Sequence, residues 1–331
     1  MTAASAGTPI VVAVEAGLPH RAALDWAADE AHRHRLPLLL VLTPGSENAG
    51  CERPGSAEET LRAAVARVHR CHPGLRVTGS VTGGAAVPEV CGQDRPAAAV
   101  VLGARRPGRY ATLFGDPAAS VAPPVIAHAA CPVVIVREPA PAVRPHPVFV
   151  VGVDVGPDGR RHSAAARHSA AALHHAFAEA ARHEAALRVL YVWHTSLLGT
   201  LDERAAVAEC GRLLAQMVAG CRVVHPYVEV RHAVLRGVPG RVLARESAHT
   251  LGLVVGARGS GGPLPRDATL WRVLRHARCP VIAVPRPPMY HRRQRRLPVR
   301  RVSRWSRRAA RHYARLLSRM VLPGRAGPYG A

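Results

Sequence analysis

The sequence predicts a tandem α/β protein: two open, parallel, five-stranded sheets, each with helices on both faces, followed by a strongly basic tail. Three observations carry this reading. One pattern occurs twice in the chain, in the same order. Within each copy, short apolar runs alternate with longer Ala-rich segments, as parallel strands joined by right-handed helical crossovers require. After Pro285 the composition changes abruptly: acids disappear and Arg takes over.

The repeat is read from three matched segments. AAAVVLGARRPG (97–108) matches TLGLVVGARGSG (250–261), and IAHAACPVVIV (126–136) matches LRHARCPVIAV (274–284). The openings IVVAVEAG (10–17) and VFVVGVDVG (148–156) place Glu15 and Asp154 at the same point. The spacing drifts from 139 residues at Glu15/Asp154 to 153 at Gly103/Gly256 and 148 at Cys131/Cys279, as loop insertions and deletions produce.

Taken in order, each half opens on an apolar strand buried on both faces, Ile10–Val14 and Val148–Val153. A helix follows, Arg21–Arg35 in the first half and about Ala164–Glu184 in the second. The next strand is Leu38–Leu42 or Leu187–Trp193, and the next helix lies around Ala57–Arg70 or Asp202–Ala219. A third strand, Arg76–Val81 or Val228–Leu235, leads to a short helix starting near Pro88 or Pro239, where Pro suits a first turn. The fourth strand is Ala98–Leu102 or Leu253–Val255. A Gly-rich loop, a helix ending at His128 or His276, and a last strand, Val133–Val136 or Val281–Val284, close the unit. The Pro-rich stretch PAPAVRPHP (139–147) separates the copies. The expected organisation is therefore a first domain over 8–138, a linker over 139–147, a second domain over 148–286 and a tail over 287–331.

With 331 residues the chain can bury a core in each half. Aromatics are only 4%, so those cores must be built from Val, Leu, Ile and Ala. MTAASAGTPI lacks a basic n-region and an apolar run, and no stretch reaches the roughly 18 apolar residues of a membrane span, so a cytoplasmic location is expected. The seven Cys lie far apart without a CxxC pair, which fits buried or half-buried free thiols in a reducing compartment. Neither the Cys nor the His spacings match a zinc-ligand pattern, and no metal site is expected.

The strand-one opening that ends in an acid, the segment VVGARGSGG (254–262) and the ending HARCPVIAV (276–284) together resemble a tandem universal stress protein of the actinobacterial type, over about residues 8–286. The resemblance implies a Rossmann-like, adenine-nucleotide α-hydrolase-like fold and a site for ATP or a related adenine nucleotide. ATP-binding members carry G-x2-G-x9-G-[ST] after strand four. Glycines let backbone N–H groups approach phosphate oxygens, and the following helix N-terminus adds free donors. An acid at the end of strand one can bind ribose hydroxyls.

In the second half Asp154, followed by Val155, stands where the family acid stands. Gly256 and Gly259 fit the first two glycines, with Arg258 between them and Gly261 and Gly262 following. The expected Gly-Ser pair falls on Asp267-Ala268, and Thr269 supplies a hydroxyl only after a register shift. A carboxylate at Asp267 would cap the helix but repel phosphate. In the first half Glu15 replaces Asp, and Gly103 is present. Arg105 follows it, Arg106 occupies the second glycine position, Gly108 is nearby, and Ala119-Ser120 keeps the hydroxyl at Ser120. Neither half carries an intact phosphate loop. Two readings stay open: a nucleotide-binding module, with the second half favoured, and a nucleotide-free scaffold in which the glycines serve only tight turns.

Catalysis is not expected, beyond slow ATP turnover by positioning. The SGGxDS loop of related ATP pyrophosphatases is replaced after strand one by EAGLPH (15–20) and DVGPDG (154–159). His128 and His276 read as structural, in the last turns of their helices. The short apolar edges at 133–136 and 281–284 need covering. They are expected to pair with each other, giving a pseudo-dimer within the chain; homodimerisation of whole chains stays open.

The net charge is +23 with no Lys, so every cation in that sum is Arg. High-GC coding bias accounts for this as readily as selection does. Residues 286–331 hold 14 Arg and no acid. Val302, Trp305, Ala309, Tyr313, Leu316 and Met320 recur at helical spacing among them, a basic amphipathic pattern. It fits an anionic membrane surface, nucleic acid phosphates or a solvated extension.

Overall fold

The structure, a computed structural model, describes residues 7–15, 21–43, 56–81, 96–104, 122, 125–137, 146–154, 164–193, 203–257 and 269–285. Ten strands among these form one sheet. In the first half they are β1 (Ile10–Glu15), β2 (Leu38–Thr43), β3 (Val77–Val81), β4 (Ala99–Ala104) and β5 (Val133–Arg137). In the second they are β6 (His146–Val153), β7 (Ala186–Trp193), β8 (Val230–Arg236), β9 (Thr250–Gly256) and β10 (Val281–Val284). The helices are α1 (Arg21–Arg33), α2 (Ser56–Cys71), α3 (Ala164–Arg182), α4 (Glu203–Arg222), α5 (Pro239–Glu246) and α6 (Thr269–His276), with a further turn at 125–128.

The strand order is β3-β2-β1-β4-β5-β10-β9-β6-β7-β8. Each half is parallel throughout, and the two orders mirror one another about the centre. At that centre β5 and β10 pair antiparallel, with Ile282 opposite Val134 and Val281 opposite Ile135. Arg137, at the end of β5, reaches across this seam and donates to the Leu274 carbonyl. Both halves belong to one compact unit, Met1–Arg286, and the basic tail over 287–331 lies outside the described residues.

Two cores follow from the period of two along the strands. Val134, Val136, Ile282 and Val284 face one layer with α1, α2, α3 and α4, and Val133, Ile135, Val281 and Ala283 face the other with α5, α6 and the 125–128 turn. Each core runs through both halves. Few aromatics are needed: Phe149 and Phe177 are fully buried, each with a histidine ring against it.

Several element ends differ from the sequence expectation. Helices α1 and α3 stop at Arg33 and Arg182 rather than at Arg35 and Glu184. Arg35 (φ 53°) and Glu184 (φ 51°) adopt the left-handed conformation. Each closes a Schellman motif: Leu36 N–H donates to the Ala31 carbonyl and Ala185 N–H to the Ala180 carbonyl, both at 2.9 Å. That position usually takes Gly, so its absence hid both stops. Strand β6 begins at His146, inside the stretch read as linker, and its His146 N–H donates to the His249 carbonyl at 2.6 Å. Strand β9 begins at Thr250, not Leu253. Gly252 reads as a breaker, but it is the place where the Phe149 ring approaches: a Cβ there would lie 3.0 Å from Phe149 Cε1. Cys71 is exposed, unlike the buried Cys210, Cys221 and Cys279 and the half-buried Cys131. His276 closes α6, but burial and the charges of Arg275 and Arg241 push its pKa below the ordinary imidazole value, which disfavours a charged imidazole at the helix end.

Candidate functional site

The chain direction reverses across the sheet at two places. From β1 the connection runs outward to β2 and later returns inward to β4; from β6 it runs outward to β7 and returns to β9. Ligands of open α/β sheets sit at such switch points, outside the carboxyl ends of the strands. The two crevices lie where β1 meets β4 and where β6 meets β9.

In the second half, β6 and β9 stay in register to Gly152 opposite Val255. Asp154 lies two residues further, level with Ala257, and Gly256 ends β9 beside it. Asp154 is exposed, and its backbone N–H donates to Ser169 Oγ of α3 at 2.6 Å. That bond pins the strand end to the helix behind it. Tyr191 stands opposite Val153 on β7. Its phenol is pushed up by burial, with the nearby Cys210 thiol and the Asp154 carboxylate adding to the effect. The Cys210 thiol is raised too, chiefly by burial. Asp154 therefore sits at a rim whose inner neighbours are the Tyr191 phenol and the Cys210 thiol.

The other wall is built from helix starts. α6 begins at Thr269, whose side chain is exposed, and its first turn holds no acid. α5 begins at Pro239, after Gly237 (φ 141°), a conformation that favours Gly, and the N-cap Val238. Gly237 N–H donates to the Trp193 carbonyl at 3.0 Å, tying the exits of β7 and β8 together. The Trp193 indole Nε1 is buried and makes no hydrogen bond. α5 and α6 touch at Gly240, where a Cβ would lie 2.5 Å from Arg272 Cβ and 3.0 Å from the Thr269 carbonyl oxygen.

In the first half, β1 and β4 stay in register to Ala13 opposite Leu102, so Glu15 is level with Ala104, one residue beyond Gly103. Gly103 lies within β4, opposite Val136 of β5. The register thus places Glu15 beside Gly103, and Asp154 beside Gly256, at equivalent ends of the sheet, while Thr269 opens α6 next to Gly240 of α5. Val155, Arg258, Gly259, Gly261 and Gly262 lie outside the described residues, as do Arg105, Arg106, Gly108, Ser120, Asp267 and Ala268. Tyr191, Cys210 and Trp193 join the rim without having been singled out in the sequence. Their signal was positional only, on the strand next to the acid for Tyr191 and Trp193 and on the following helix for Cys210.

The profile of the universal stress protein family matches residues 8–137 and 164–285. The chain belongs to the universal stress protein family. Its two matched segments make it a tandem member. Universal stress protein Rv2623 of Mycobacterium tuberculosis H37Rv is 29% identical over 289 residues, spanning 79% of this chain and 90% of that one. A universal stress protein of Mycolicibacterium smegmatis is 29% identical over 297 residues, spanning 83% and 96%. Among solved structures, a universal stress protein of Pseudomonas aeruginosa UCBPP-PA14 matches with a TM-score of 0.59 at 17% identity, covering 84% of this chain and 92% of that one. At that identity the likeness concerns the fold. No helix among the described residues is long and apolar enough to cross a membrane.

Proposed function

We propose that this tandem universal stress protein is a binding module that holds ATP or a related adenine nucleotide in its second half, at the carboxyl ends of β6 and β9. The observation that carries the reading is the alignment of Asp154 with the Gly256 exit of β9, at the switch point of the second half. A carboxylate there suits ribose hydroxyls, while strand-exit amides and a helix N-terminus suit phosphate oxygens. The first half departs further from the family loop, with Arg106 in place of a glycine and the longer Glu15 in place of Asp. In this reading the protein does no committed chemistry, and occupancy alters its contacts with partners.

Asp267-Ala268 in place of a Gly-Ser pair favours the competing reading, a nucleotide-free scaffold of the same fold. Mass spectrometry of small molecules released from gently purified protein, with an ATP thermal shift alongside, separates the two. Saturation at 100 times Kd stabilises by about 2.7 kcal/mol. A released adenine nucleotide, or a clear upward shift, supports the module; an empty protein with no shift leaves the scaffold.

A further inference from the structure

We propose that a divalent transition metal, zinc in the first instance, staples the two halves together through Glu30 and His34 of one half and Glu179 and His183 of the other. The site stands apart from the nucleotide reading. It sits where α1 and α3 end, at the amino ends of the strands and so at the opposite end of the sheet from the crevices.

The sequence carries the ligand pattern twice, as EAHRH (30–34) and EAARH (179–183). Glu and His at i and i+4 lie on one helix face. The Schellman closures at Arg35 and Glu184 fix both helix ends, and the His183 ring is held edge-on against Phe149 at 5.0 Å between centroids.

Both carboxylates are buried, Glu30 to 3% and Glu179 to 5% exposure. Two buried carboxylates in one cluster demand compensating charge. His183 Nε2 lies 2.8 Å from Glu30 Oε1 and 3.9 Å from Glu179 Oε2; His34 Nε2 lies 3.1 Å from Glu30 Oε2 and 3.7 Å from Glu179 Oε2. Two ligands of one tetrahedral zinc, each bonded at about 2.1 Å, stand about 3.4 Å apart. The four His–Glu separations bracket that value, with Glu30 meeting the two histidines through different oxygens; one donor atom each from Glu30, Glu179 and His183 lies within 4.8 Å of the other two, and His34 stands outside that closest group. His183 Nε2 is buried and makes no hydrogen bond, despite its distance from Glu30. At His183 that geometry suits a common centre better than a direct hydrogen bond.

Glu179 is already divided for the purpose. Arg182 donates to its Oε1 at 2.8 Å, leaving Oε2 toward the two histidines. In the metal-free cluster, Arg33 beside Glu30 and Arg182 beside Glu179 offset part of the carboxylate charge. Zinc with two carboxylates and two neutral imidazoles is neutral overall, so binding expels protons and weakens as pH falls.

The test uses the full chain after dialysis against chelator, titrated with zinc in competition with a chromophoric indicator. One tight equivalent per chain is expected. His183→Gln and Glu30→Gln, checked for folding by near-ultraviolet circular dichroism, should lose at least about 100-fold in affinity, the upper end of what losing an outer-shell partner costs. X-ray absorption of the zinc-loaded unmodified chain decides the matter even if a variant fails to fold: a shell of nitrogen and oxygen with imidazole scattering supports the site. Sulfur in the shell, no tight equivalent, or equal affinity in both folded variants overturns it and leaves a hydrogen-bonded ion cluster alone.

Discussion

One carboxylate distinguishes the better of the two crevices. Asp154 is short, exposed and anchored through its own backbone to Ser169, so its charge is presented without a flexible stem. Asp154→Ala should weaken ATP binding by about 1.5–3 kcal/mol, the range for a hydrogen bond to a charged group, or tenfold and more. Titration calorimetry checks it, and unchanged affinity removes Asp154 from the site. The thiols give a second residue-level outcome. Burial pushes the Cys221 thiol up to about 12, so it holds almost no thiolate at neutral pH, whereas Cys71 is exposed. Native iodoacetamide labelling at pH 8 should modify Cys71 and spare Cys221; rapid labelling of Cys221 would contradict its burial. At this scale the acid and the glycines are named from sequence because they sit in motifs. Tyr191 and Cys210 are not, because nothing in an apolar strand or an Ala-rich helix marks the residue that happens to face a neighbour.

At the scale of elements, the contact between α5 and α6 sets the wall of the second crevice. Gly240 has no room for a side chain: the nearest atom to a new Cβ is Arg272 Cβ, at 2.5 Å, which cannot swing away as a side-chain tip could. Gly240→Ala should cost about 1–3 kcal/mol, the usual range for overpacking, read as a lower urea midpoint. Because α6 starts at this contact, the same variant should also loosen ATP. A stability within about 0.5 kcal/mol of the parent would show that the two helices separate easily. Alternation of apolar runs and Ala-rich helices revealed nearly every element. The ends were harder to place where a residue acts against its type: Arg35 and Glu184 in glycine's conformation, and Gly252 inside a strand because a ring needs the space.

At the scale of the whole molecule, the seam between β5 and β10 makes one sheet of two. Ile282 is 2% exposed and faces Val134 across it. Ile282→Asp would bury an unpaired charge there and should cost on the order of 4 kcal/mol or more. Urea unfolding followed by circular dichroism checks this, and a loss below about 1 kcal/mol would mean that the seam contributes little. Duplication, order and edge strands made the partnership of the halves legible from sequence. The Glu30–Glu179 cluster was invisible, since its members are 149 residues apart and only the mirror-related packing of α1 and α3 brings them together.

That seam has a consequence for the evolution of the two crevices. An assembly of identical subunits must repeat every change in all its pockets at once. Here the mate is covalently guaranteed, so a substitution such as Arg106 in one half is not repeated in the other, where Gly259 stands at the matching position. The expected end point is a division of labour, with one occupied crevice per chain and the other released from selection for its original cargo.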